Sequence, residues 1–144
     1  IATGKMLDVM GTPLDFRRSR AIGELIRSDH PLTLYARGYD CSYVLRGGPD
    51  LRQVAKAYHP ASGRMMTVQT TEPSLAFYSG NFLDGSIVGR SGRQYRQGDA
   101  FTLEPRHLPN SPNHDHFPST VLRPGEKYRA TTIYSFEASS EGVQ

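Results

Sequence analysis

Cysteine is almost absent from this sequence. Cys41 stands alone among 144 residues, which excludes an internal disulfide framework and any cysteine-rich zinc module. No apolar run approaches the ~18 residues a helix needs to cross a bilayer, and no charged-then-apolar leader opens the sequence. No Asn-x-Ser/Thr sequon occurs. A dense cationic patch is missing too. Of 17 Lys+Arg, 14 are arginine, and they are scattered apart from Arg17-Arg18-Ser19-Arg20 and Arg90-Ser91-Gly92-Arg93. A phosphate-tracking surface needs a patch or stripe with interleaved aromatics, so the +3 net charge does not make nucleic acid an expected partner. No membrane partner is expected either. What remains is a soluble intracellular domain, expected in the cytoplasm.

Turn chemistry, by contrast, is plentiful. Gly 14 and Pro 10 in a chain long enough for one domain describe a path that turns often, as many short strands require. Residues 42–45, 53–58, 65–71, 76–79, 100–103 and 129–136 are rich in β-branched and aromatic side chains and read as strands. Met66 and Val68 alternate with Thr67 and Gln69, the pattern of a half-buried strand. Arg46-Gly47-Gly48-Pro49-Asp50, His59-Pro60-Ala61-Ser62-Gly63 and Arg123-Pro124-Gly125-Glu126 are the turns between them. The spacing predicts an all-β fold, a sandwich of antiparallel sheets. A brief strand is expected at Met6-Leu7-Asp8-Val9. One helix is expected over Ser19–Arg27, capped by Ser19, with Ile22, Leu25 and Ile26 on one face and His30-Pro31 ending it. Residues 105–119 carry four prolines and read as a long loop, and Ala138 to Gln144 as a frayed polar tail.

Few residue clusters carry chemistry of their own. His114 and His116 flank Asp115 and form a two-histidine metal lure, but no further ligand pattern accompanies them, and no metal is expected. Cys41 has no patterned His or Asn beside it and reads as an inert thiol. Gly89-Arg90-Ser91-Gly92 matches no phosphate-cradling loop. Glu104 follows the strand-like Ala100-Phe101-Thr102-Leu103 and precedes Pro105, at the mouth of the proline-rich loop. A carboxylate so placed projects into a cleft or makes a surface salt bridge; an ordinary glutamate is ionised at neutral pH and accepts a proton. Asp40, in Gly38-Tyr39-Asp40, is an acid in a turn, either a hydrogen-bond acceptor for a polyol or a turn cap.

Longer blocks say more. Gly38-Tyr39-Asp40, His59 to Arg64, Thr70-Thr71-Glu72-Pro73 and Phe77-Tyr78-Ser79-Gly80-Asn81-Phe82-Leu83-Asp84-Gly85 occur in order. Leu103 to Asn113, Phe117-Pro118-Ser119-Thr120 and Leu122 to Tyr128 follow. This series resembles the C-terminal half of the aldose 1-epimerases, the galactose mutarotases, over about residues 3–136. Thr12-Pro13-Leu14-Asp15-Phe16-Arg17 resembles the segment that precedes it in that family.

The resemblance implies a large β-sandwich whose concave face binds a pyranose, of which residues 1–144 would be the C-terminal portion. The complementary N-terminal half is then expected on another chain or segment. It implies interconversion of α and β anomers of a hexose by acid/base ring opening, with no cofactor. Glu104 holds the position of the catalytic base, and Asp40 that of an aspartate bonding sugar hydroxyls. The family's acid histidine and a sugar-binding arginine belong to the N-terminal half. His30, His59, His107, His114 and His116 match no motif for that acid. The sequence departs from the family's pattern at Cys41, usually His, at Ala76, often Gln, and at Pro105-Arg106. Two other readings stay open: a non-catalytic carbohydrate-binding module of the same fold, and a metal-dependent sugar isomerase using His114 and His116.

Overall fold

The computed structural model describes residues 3–138, and its architecture is nearly all-β, as the sequence predicts. Eight strands run in chain order: β1 Asp40–Val44, β2 Arg52–His59, β3 Arg64–Thr70, β4 Ser74–Tyr78, β5 Asp84–Val88, β6 Gln94–Arg96, β7 Thr102–Arg106 and β8 Thr132–Ala138. They form sheets ordered β1-β4-β7 and β2-β3-β8, with β5-β6 as a separate ribbon. The chain divides into two compact units. One holds the described residues up to Ser42 together with Ala76–Glu104; the other holds Tyr43–Leu75 and those from Pro105 on.

In the second unit β3 is the central strand. It pairs antiparallel with β2 from Arg52↔Thr70 to His59↔Arg64, and with β8 from Arg64↔Ala138 to Thr70↔Thr132. The β2–β3 connection is a 3-10 turn at Pro60–Ser62, closed by Gly63 in the left-handed region at φ 64°. Val68 and Thr70 are buried on alternate positions, as the Met66/Val68 alternation required. Thr70 Oγ1 lies 3.0 Å from Thr132 Oγ1 across the ladder, a cross-strand pair of the kind that adds a few tenths of a kcal/mol, up to about 1.

The first unit centres on aromatic rings. Tyr39 and Phe77 stack at 5.1 Å, Phe16 meets both edge-on at 5.2 and 5.4 Å, and Phe101 packs on Phe77 at 6.1 Å. Tyr39 is fully buried, and Phe77 is 4% exposed. Burial pushes the Tyr39 hydroxyl's pKa upward.

Four local expectations are corrected. Over Ser19–Arg27 only Ile22–Glu24 forms a 3-10 turn, and no side chain caps it. Gly23 in so short a segment costs about 1 kcal/mol against alanine, and nothing compensates it. The helix, α1, is Pro31–Ala36. Pro31 opens it rather than closing its predecessor, because proline at the first helical position loses no needed hydrogen bond. His30 stays extended at ψ 135°, and its Nδ1 accepts the Leu32 N–H at 3.2 Å. Met6–Val9 forms no strand. Nor does the proline-rich stretch begin as loop: β7 continues through Glu104 and Pro105 to Arg106. Proline is tolerated there because β7 lies at the edge of the β1-β4-β7 sheet. Ala138, expected in the polar tail, closes β8 instead; the rest of that stretch lies outside the described residues.

Candidate active site

Glu104 stands in the middle of β7, not at a loop mouth. Burial alternates along the strand, with Thr102, Glu104 and Arg106 exposed and Leu103 and Pro105 half-buried. Glu104 therefore shares its face with Thr102, whose hydroxyl donates to Glu104 Oε1 at 2.8 Å. That bond fixes one carboxylate oxygen while the side chain stays open to solvent.

Asp40 is the first residue of β1, exposed, and not part of a turn. The residues before it explain its placement. Arg37 caps α1 in the left-handed region at φ 58°, and Gly38 follows at φ 142°. Tyr39 N–H donates to Ser79 Oγ at 2.9 Å, and Tyr39 C=O accepts from Ser79 N–H at 3.1 Å and from Asn81 Nδ2 at 3.0 Å. Two blocks far apart in sequence, Gly38-Tyr39-Asp40 and Tyr78-Ser79-Gly80-Asn81, thus meet. Asp40 and Glu104 belong to the same compact unit, on the two strands that flank β4. Ala76 of β4 is 4% exposed, and Cys41 is half-buried.

The histidines all have neighbours. His30 caps α1, and His59 Nδ1 lies 2.8 Å from Ser62 Oγ. His114 and His116 form an aromatic group with Phe117, at ring separations of 5.5, 5.1 and 4.4 Å. No group of three His, Cys, Asp or Glu that could hold a metal occurs among the described residues.

Sequence reasoning passed over one ionisable cluster. In the second unit Glu72 is 5% exposed, its Oε1 accepts from the Tyr128 hydroxyl, and its Oε2 lies 3.0 Å from His107 Nδ1. The carboxylate beside it pushes the Tyr128 pKa up. Arg52 braces the segment, donating to the carbonyls of Thr70 at 2.9 Å and Glu72 at 3.1 Å. The three side chains lie 35 and 21 residues apart along the chain, too far for spacing to betray them. A separate open concavity is lined by Thr12, Asp15, Arg20, Ser28, Asp29 and His30, and includes neither Asp40 nor Glu104.

Comparison with known proteins identifies the family. The aldose 1-epimerase family model matches residues 1–135. The chain belongs to the aldose 1-epimerase family. It is 37% identical over 139 residues to a galactose mutarotase of Bos taurus, covering 96% of this chain and 39% of that protein. An aldose 1-epimerase of Escherichia coli (strain K12) is 38% identical over 134 residues, covering 90% of this chain and 38% of that one. Among solved structures, a GalM/aldose epimerase homologue from C. elegans superposes with a TM-score of 0.80 at 28% identity, over 94% of this chain and 40% of that one. The β-sandwich class predicted from sequence is therefore the family's. The chain spans about two fifths of the length of the curated relatives it matches. No helix among the described residues is long and apolar enough to cross a membrane.

Proposed function

We propose that this chain is the C-terminal portion of one aldose 1-epimerase domain and supplies the general base and part of the sugar site for α/β anomer exchange of a hexose. The observation that carries this reading is Glu104: an exposed carboxylate on a β-strand, one oxygen held by Thr102, in a chain matched to this family over nearly its full length. Glu104 takes the proton from the anomeric hydroxyl. The freed electron pair forms the C1 carbonyl as the bond from C1 to the ring oxygen breaks. The ring oxygen receives a proton from an acid on the complementary N-terminal portion. Rotation about C1–C2 and the reverse steps close the other anomer, so no redox cofactor or metal enters the balance. Asp40 accepts hydrogen bonds from sugar hydroxyls, charge-assisted contacts worth about 1.5–3 kcal/mol. The relatives' names support an enzyme over a binding module.

General acid and general base each contribute roughly 10²–10⁴-fold. Glu104→Gln keeps the shape and removes the base. With the complementary portion present, sugar affinity should persist while equilibration of freshly dissolved α-glucose, followed by polarimetry, slows by about that factor. Near wild-type rates in that variant would refute the assignment of the base.

A further inference from the structure

We infer that Ser79 and Asn81 are positioning residues for Asp40, and that they set where its carboxylate meets a sugar hydroxyl. The inference rests on the proposed sugar-binding role of Asp40. Its starting point is that the Asp40 side chain makes no hydrogen bond or ion pair with the described residues, so its aim is inherited from the backbone beneath it. That backbone is held by side chains. Asn81 Nδ2 donates to the carbonyls of Ala36 at 2.7 Å and Tyr39 at 3.0 Å, and Ser79 Oγ donates to Asn81 Oδ1 at 2.5 Å while accepting the Tyr39 N–H. The amide can sit only one way round, because the reverse would turn its oxygen on two carbonyls.

Both side chains are buried, Ser79 at 1% and Asn81 at 4% exposure. They close on the chain where it has no side chain of its own. A Cβ at Gly38 would lie 2.5 Å from Asn81 Oδ1 and 2.8 Å from Ser79 Oγ. The Tyr39 carbonyl belongs to the peptide joining Tyr39 to Asp40, so the clamp fixes the plane from which Asp40 departs. The Tyr39 ring is already secured between Phe16 and Phe77. The rings hold the residue in place; the polar clamp adds direction, which a hydrogen bond has and apolar packing lacks. Misplacement by about 1 Å can cost 10²-fold in turnover.

The test is a set of double-mutant cycles in the protein with its complementary portion, measuring KM and kcat for fresh α-glucose beside the melting temperature. Asp40→Ala, Ser79→Ala and Asn81→Ala are compared with the Asp40/Ser79 and Asp40/Asn81 double variants. Each clamp variant should raise KM and lower kcat, by a combined factor of roughly 10- to 100-fold, and should add no further loss on top of Asp40→Ala. Ser79→Ala is the mild variant, since both Asn81 donors keep their carbonyls, and it carries the test if Asn81→Ala fails to fold. Clamp variants that lower only the melting temperature, or whose kinetic losses multiply with that of Asp40→Ala, would overturn the positioning role. An Asp40→Ala protein with unchanged KM and kcat would instead overturn the prior reading of Asp40 itself.

Discussion

Gly38 is the residue at which sequence, backbone and candidate site constrain one another most tightly. Its φ of 142° is one that side-chain-bearing residues rarely adopt, and a Cβ there would meet Asn81 Oδ1 at 2.5 Å. Neither the buried amide nor the hydroxyl can retreat without releasing a carbonyl or an N–H. Gly38→Ala should therefore destabilise by about 1–3 kcal/mol, the range for overpacking a tight interior. Gly23 is the control. Nothing lies within 4 Å of its would-be Cβ, so Gly23→Ala should be neutral or stabilising by roughly 0.4–1 kcal/mol. Denaturant melts of the two variants check both statements, and equal costs would show that the contact at Gly38 is not the cause. None of this was legible in the sequence, where Gly38 is one glycine among many. The block containing it was visible, but the partner it needs lies some forty residues on.

At the scale of elements, legibility followed local pattern. β3 could be read because its alternation of apolar and polar residues is the alternation of its two faces. β5 and β6 could not: Asp84–Val88 and Gln94–Arg96 are largely exposed and rich in glycine and arginine nearby, so no buried face writes itself into the sequence. The strand through Glu104 runs on past Pro105, where the proline-rich pattern predicts loop, because an edge strand accepts proline. The segment before the helices shows a fastening of another kind. Asp15 accepts from Arg17 through both oxygens, at 2.8 and 2.7 Å, and from the Arg17 backbone N–H at 3.2 Å. These bonds, with the side-chain bond to Arg17 the largest cause, lower the Asp15 pKa from 3.8 to about 2. Because the folded value is the lower one, the pair's contribution to stability is present above 3.8 and lost as pH falls through about 2. The pair is exposed, so that contribution is small and weakened by salt. In Arg17→Met the Asp15 carboxyl should titrate clearly above 2, as seen by NMR; a midpoint still near 2 would show that the Arg17 side chain is not what holds it down.

For the whole molecule, the decisive quantity is how much apolar surface this chain exposes. β8 forms an edge of its sheet, and its Ile133, Tyr134 and Phe136 are 40%, 43% and 73% exposed. An edge strand bearing exposed aromatics is a template for association unless something covers it. The curated relatives are about two and a half times longer than this chain, and the proposed reading puts the acid on the complementary portion. If residues 1–144 are one part of a single domain, the complementary portion binds the folded state and not the unfolded one, so its presence must raise stability by mass action. Residues 1–144 expressed alone should then melt broadly or aggregate, and leave α-glucose to equilibrate at the uncatalysed rate. Mixing with the complementary portion should produce one cooperative transition at a higher temperature that rises with its concentration, together with catalysed mutarotation. The comparison is a melt and a polarimetric trace of each part and of the mixture. A sharp transition and full activity from the lone chain would sink the two-part reading, and would require the proton donor to be sought among His30, His59, His107, His114 and His116.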